Sequence, residues 1–317
     1  MNLDLVTGGA GFIGRHLVAT LRRRGRSVRV LDRFVPDDMP SDVDMVQGSI
    51  TDPDTVAHAV TGAERVFHVA GNPELWDRAP DTFDSTNRAG AECVFEAAAK
   101  AGVVRLVLTS THAIQVRGEM PGPYTRAKQA AEQAALERAG RGEPIVIVRP
   151  TMPIGPDDRN LTPPTRMLLD FLNGRHPAFL EFETNLIDVR EVAEGHVLAA
   201  ERGEPGTAYV LGRHALMMSA LLDELRRLTG LPMARLRVPY PLALLSARVS
   251  EALAGLTGAP PAGSVEAVRL ARALLPVERD PAAALDLPAW PLEAALRDTI
   301  RWLDRAGHLT RRPRIGP

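Results

Sequence analysis

Thr7-Gly8-Gly9-Ala10-Gly11-Phe12-Ile13-Gly14 follows an apolar run, Leu3 to Val6, and opens a helical pattern, Phe12 to Arg24. Gly8, Gly11 and Gly14 fit G-x-x-G-x-x-G, and Gly9, Gly11 and Gly14 fit G-x-G-x-x-G. Glycines at this spacing permit a tight strand-to-helix turn and let backbone N–H groups approach a pyrophosphate. The helix start adds free N–H donors and the positive end of a dipole. The strand–turn–helix context makes the motif stronger than a glycine pattern alone. Gly8, Gly11, Phe12, Ile13 and Gly14 are therefore expected to hold a dinucleotide.

The segments that follow keep the same rhythm. Strand patterns at Ser27–Asp32, Asp44–Gln47, 65–70, 103–110 and 144–148 alternate with helical patterns at 52–60, 81–101 and 124–139. The strands are continuously apolar, as a parallel sheet covered on both faces requires. This predicts an α/β chain with a Rossmann-type doubly wound parallel sheet. After Pro150 the alternation gives way to Pro/Gly-rich loops and helices near 165–173, 190–202, 219–229, 241–255, 264–275 and 292–306. The expected organisation is a dinucleotide-binding domain at 1–150 and a smaller, mainly helical substrate lobe at 151–317. The lobe includes the last sheet strands, one of them, near 185–188, returning to the Rossmann sheet.

Composition narrows the function. With 38 Lys+Arg against 39 Asp+Glu and a net charge of −1, there is no general attraction to nucleic acid. The single cysteine, Cys93, makes no internal disulfide, which fits a cytoplasmic protein. No apolar run approaches the roughly 18 residues of a membrane span, and the N-terminus lacks a signal-peptide pattern. The eight histidines show no metal-ligand spacing, so no metal site is expected.

Asp32 ends the second strand 18 residues after Gly14, where an acid meets the adenosine ribose hydroxyls and repels a 2′-phosphate. Arg33 beside it pulls the other way, toward NADP. The strand-end position of Asp32 favours NAD, with NADP the alternative.

Tyr124 and Lys128 stand at i and i+4, on one helical face. The chain has three tyrosines and two lysines, so chance would produce this spacing about 2% of the time. A nearby ammonium stabilises phenolate and draws a tyrosine's pKa toward neutrality. Thr111, ending the fifth strand, adds a hydroxyl to steady a substrate oxygen. Thr111, Tyr124 and Lys128 are thus the candidate catalytic set for moving a proton on an alcohol oxygen while hydride moves at the adjacent carbon.

These residues, with Val66–Ala70, Thr86–Gly90, Leu108–Thr111 and Val148-Arg149-Pro150, resemble the extended short-chain dehydrogenase/reductase family of NAD-dependent epimerases and dehydratases. The chain is most similar to dihydroflavonol reductase-like and hopanoid-associated sugar epimerase members. The resemblance implies that Tyr124 is the acid/base and that Lys128 lowers its pKa and holds the nicotinamide ribose. It implies that Val69 and Ala70 line the adenine side, that Pro150 borders the nicotinamide, and that the protein is a homodimer. Met152 stands where nucleotide-sugar epimerases often carry an asparagine for diphosphate, and methionine offers phosphate neither charge nor a hydrogen bond. A small, fairly apolar substrate is expected, interconverted between secondary alcohol and ketone. The alternatives are a sugar epimerase or dehydratase with retained NAD, and a non-catalytic cofactor sensor.

His112, Gln115 and Met152 are the candidate substrate contacts. For His112 a structural role weighs more than a pocket role, and His68 reads as a core histidine. Asp157-Asp158 reads as a solvated loop, Cys93 as core, and the apolar segment from Pro241 to Leu253 as core packing in preference to a membrane contact or a greasy entrance.

Overall fold

The structure is a computed structural model and describes residues 2–277 and 285–314. Its first half runs β1 (Leu3–Thr7), α1 (Phe12–Arg23), β2 (Ser27–Asp32), β3 (Asp44–Gln47), α2 (Pro53–Val60), β4 (Arg65–His68), α3 (Asp81–Phe83), α4 (Gly90–Ala101), β5 (Arg105–Thr109), α5 (Pro123–Ala139) and β6 (Ile145–Pro150). The second half runs β7 (Met152–Ile154), α6 (Pro163–Leu172), β8 (Ala178–Phe179), β9 (Glu183–Asp188), α7 (Val189–Arg202), β10 (Ala208–Leu211), β11 (His214–Met217), α8 (Met218–Thr229), β12 (Leu236–Arg237), α9 (Tyr240–Thr257), α10 (Val265–Ala273) and α11 (Leu292–Arg305).

Seven strands form the doubly wound parallel sheet in the order β10-β6-β5-β4-β1-β2-β3. Strand geometry sends successive side chains to opposite faces. Val6 and Val30 accordingly join one buried cluster with α1 and α7, while Leu5 and Leu31 join another with α2, α4 and α5. The order reverses between β1 and β4, so the crevice beyond their carboxyl ends is the place for a ligand.

The strand near 185–188 does not return to this sheet. β9 pairs with β7 and β11 in a separate three-stranded sheet. One residue, Thr151, separates β6 from β7, so the chain leaves the main sheet along β7 and β9 pairs there. A parallel neighbour for β6 needs a crossover helix first. That helix is α7, and the strand after it, β10, takes the place beside β6.

The helix expected over 81–101 is interrupted by a π-turn at Asp84–Ala89. Its wider turn points Asn87 inward, where the amide holds the backbone of Asn72 through bonds of 2.7 and 3.0 Å. The segment beginning at Pro241 does form a helix, α9, but it is not core: only Ala247 and Ala254 are buried on it. A third buried cluster, including Leu168, Leu172, Leu186, Leu221 and Ile300, holds the second half together. Cys93 packs beside the cluster on the α4 face, and burial pushes its thiol up, so it is an unreactive packing group.

Candidate active site

The glycine turn is shaped by contacts that leave no room for side chains. Gly8 has φ +71°, and a Cβ there would sit 2.7 Å from the Ala70 Cα. A Cβ on Gly9 would stand 2.6 Å from Val30, and one on Gly14 would overlap the Gly8 carbonyl. Gly11 caps α1 with no side-chain hydrogen bond. The N–H groups of the first turn, those of Phe12 and Ile13 among them, have no intrahelical acceptor. Close backbone, absent side chains and unclaimed donors together fit a pyrophosphate. Phe12 is buried, Ile13 half-buried against the α1-side core.

Asp32 ends β2 beside this turn. Its carboxylate accepts the Ala10 N–H at 3.0 Å and the Phe34 N–H at 3.2 Å. Arg33 is exposed and makes no ion pair among the described residues. Val69 and Ala70 lie just past β4, because Thr7 takes their N–H groups with its carbonyl and hydroxyl at 3.2 and 3.3 Å. His68 bonds the same Thr7 hydroxyl at 2.8 Å. Desolvation, with the nearby Lys128 charge, lowers its pKa to about 3, and it is a core histidine.

Thr111 caps a 3₁₀ turn, His112–Ile114, accepting the Ala113 N–H at 3.1 Å. Its side chain also lies near the Tyr124 phenol at the start of α5, close enough to pull the phenol's pKa down. Tyr124 packs edge-on against Phe83, ring centroids 6.2 Å apart. Lys128, one turn further, is buried and donates to the Thr109 carbonyl at 2.6 Å. Desolvation, opposed by Glu132, lowers its pKa to about 8.

The tyrosine's pKa runs against the expectation. Burial pushes the phenol up to about 12, the Thr111 side chain pulls it down and the Glu266 charge pushes it further up. Desolvation outweighs any help from Lys128, whose ammonium is engaged by a backbone carbonyl.

Two carboxylates enter the site that sequence reasoning did not select. Glu266, on α10, is buried and accepts the N–H of Thr125 at 2.8 Å, that of Tyr124 at 3.2 Å, and the Thr125 hydroxyl at 2.8 Å. Gly122 makes room for it, since a Cβ there would overlap its carboxylate. No local signal connects positions 122 and 266. Glu132 follows Tyr124 and Lys128 on the same face of α5 and forms a buried ion pair with Arg149 of β6, including bonds of 3.0 and 3.1 Å. Its i+4 spacing from Lys128 was the available signal.

The candidate substrate contacts separate. His112 directs Nε2 to the Leu275 carbonyl at 2.9 Å, which makes Nε2 the donor and leaves the buried Nδ1 a bare acceptor. Its pKa is lowered, first by burial. Gln115 is held by its backbone, its carbonyl accepting the Leu275 N–H at 2.8 Å. Met152 lies on β7, half-buried against the core of the second half. Pro150 ends β6, buried beside Leu211. Asp158 is not solvated: it is fully buried and its carboxylate takes the Thr162 N–H and hydroxyl at 2.9 and 2.6 Å. No group of three or more metal-ligating side chains comes together among the described residues.

The sequence pattern of the NAD dependent epimerase/dehydratase family matches residues 5–212. A putative dihydroflavonol 4-reductase of Synechocystis sp. is 35% identical over 96% of this chain and 95% of its own length. Sterol demethylase protein B of Methylococcus capsulatus is 31% identical over 74% of this chain and 77% of its own. Among solved structures, the crystal structure of gox2253 superposes with a TM-score of 0.83 at 31% identity, covering 98% of this chain and 100% of that one.

Proposed function

The chain belongs to the NAD-dependent epimerase/dehydratase family, and from that membership we propose that it interconverts a secondary alcohol and a ketone on a small, fairly apolar substrate, with Tyr124 as acid and base. It is an NAD(P)-dependent oxidoreductase. The observation that supports the finer reading is the convergence of the Thr111 side chain on the Tyr124 phenol at the carboxyl end of the sheet, close enough to pull its pKa down, with Lys128 one turn along α5.

The turn at Gly8, Gly11 and Gly14, with the Phe12 and Ile13 N–H groups, would hold the pyrophosphate. Asp32 would take the adenosine ribose hydroxyls, which favours NAD over NADP. Val69 and Ala70 would border the adenine side, and Pro150 and Lys128 the nicotinamide end. Bound there, the cofactor supplies or takes a hydride at the substrate carbon.

The chain's own residues handle the proton. Burial keeps the Tyr124 phenol protonated through neutral pH, so it is ready to give its proton to a carbonyl oxygen. Thr111 steadies that oxygen. The Lys128 ammonium, fixed by the Thr109 carbonyl, favours the phenolate left behind. Met152, in place of a diphosphate-binding asparagine, supports an apolar substrate. The same reading has two copies in a reducing compartment, paired through α4 and α5, which sizing in solution tests.

A panel of ketones and alcohols with both cofactors, followed at the nicotinamide absorbance, tests the reaction. Tyr124→Phe should lose at least ~10²-fold in turnover, the range of general acid/base contributions. Near-normal turnover by that variant overturns the role. Substrate epimerisation without net absorbance change favours the retained-NAD epimerase, and cofactor binding without any turnover favours the sensor.

A further inference from the structure

Helix α9 has an unusual surface. Leu242, Leu245, Val249, Leu253 and Leu256 recur at spacings of three and four, which places them on one stripe. In a globular protein such a stripe turns to the core. Here all five side chains are between 52% and 84% exposed. An exposed apolar surface of this extent marks a contact site.

The charges around the stripe identify the contact. At its start, the Tyr240 ring lies under the Arg272 guanidinium, 4.8 Å away. Tyr240, Arg117, Arg269 and Arg272 line a cavity of about 550 Å³ in which Glu119 is the one acid. At the other end of the helix, Gly258 lies against Arg78. Arg248 is exposed midway. None of these five arginines makes an ion pair among the described residues, whereas Arg22, Arg24 and Arg88 elsewhere all do. The helix's acid, Glu251, is turned toward α10, where it accepts the Val265 N–H at 2.7 Å, and makes no ion pair with these arginines.

A second copy meeting this face symmetrically would bring two sets of unpaired arginines together. An anionic bilayer offers apolar chains to the stripe and phosphates to the arginines. No helix among the described residues is long and apolar enough to cross a membrane, so α9 would lie in the interface. We propose that α9 docks the protein on an anionic membrane surface, leucines at the acyl boundary and arginines on lipid phosphates. The adjoining α10 reaches the start of α5 through Glu266, so the docked face adjoins the site. Its purpose, delivery of an apolar substrate, rests on the proposed reaction; the docking does not.

The test is flotation of the full chain with vesicles of phosphatidylcholine alone and with about a third phosphatidylglycerol. The protein should float with the anionic vesicles, not with the neutral ones, and be released by salt. Leu245→Ser with Leu253→Ser should weaken flotation at least about tenfold, and so should Arg269→Gln with Arg272→Gln. Either pair suffices if the other variant folds poorly, as judged by its thermal midpoint. Absence of flotation by the wild type, or undiminished flotation by a folded variant, overturns the proposal. So does a wild-type dimer that the leucine pair converts to monomer without vesicle binding, which would make the face a contact between copies. Flotation is read without turnover, so failure of the proposed reaction leaves it standing.

Discussion

Glu266 caps α5, the helix that carries Tyr124 in its first turn: its carboxylate accepts the Thr125 N–H and hydroxyl, each at 2.8 Å, across 141 residues of sequence. A buried carboxylate at a helix N-terminus is stabilised by the orphan N–H groups and the dipole. It also places negative charge near the phenol, raising its pKa. Glu266→Gln should lower unfolding free energy by about 1–2 kcal/mol. It should also move the alkaline limb of the oxidative pH–rate profile to lower pH, because the Tyr124 phenolate loses a repulsive neighbour. An unmoved limb, with stability alone reduced, would leave Glu266 a structural cap.

Lys128 makes stability depend on pH. Its pKa is about 8 in the fold, below the ordinary 10.5. Between those values the unfolded chain binds a proton that the folded chain does not, so stability rises with pH through this window. Compared with Lys128→Met, the wild type should gain up to about 3 kcal/mol between pH 8 and 10.5 in urea unfolding. Parallel curves for the two proteins would refute the burial argument.

The glycine turn predicts a graded pair of substitutions. Gly14→Ala drives a methyl into the Gly8 carbonyl and should cost about 1–3 kcal/mol, with cofactor affinity falling at least ~10-fold. Gly25→Ala, just past α1, meets instead a positive φ, +73°, in open space. It should cost about 1 kcal/mol and leave affinity unchanged. Calorimetric titration with NAD separates the two.

In the proposed cofactor site, Asp32 and Arg33 would oppose each other in choosing between NAD and NADP. With the carboxylate gone, the exposed guanidinium faces a 2′-phosphate without a competing charge. Asp32→Ala should shift the ratio of NAD to NADP affinities toward NADP by at least ~10-fold, about the worth of one charged contact. An unchanged ratio in the same titrations would remove both residues from cofactor choice.

What was legible in the sequence was local. The glycine turn, Asp32 and the Tyr124–Lys128 pair depend on short spacings that one turn or one helix converts into geometry. Glu266 was invisible because its partners lie on another helix far along the chain. β9 and β10 are both short, and only the position of α7 between them decides which one joins the sheet. Helix α9 shows the same limit: its periodicity gave the helix correctly but could not say which way the leucines point. The direction of the Tyr124 shift also escaped, because an ammonium four residues away is visible in the sequence and burial is not.

The placement of β10 has a consequence for how the molecule is made. Half of the core against α1 comes from residues such as Val192, Val197, Leu198 and Leu211, translated long after β6. Until they emerge from the ribosome, the nascent sheet has an open margin and a bare flank at its oldest helix. A chain halted near residue 150 should therefore be a client for chaperones, and the nucleotide cradle should become competent only once the later polypeptide has closed over it.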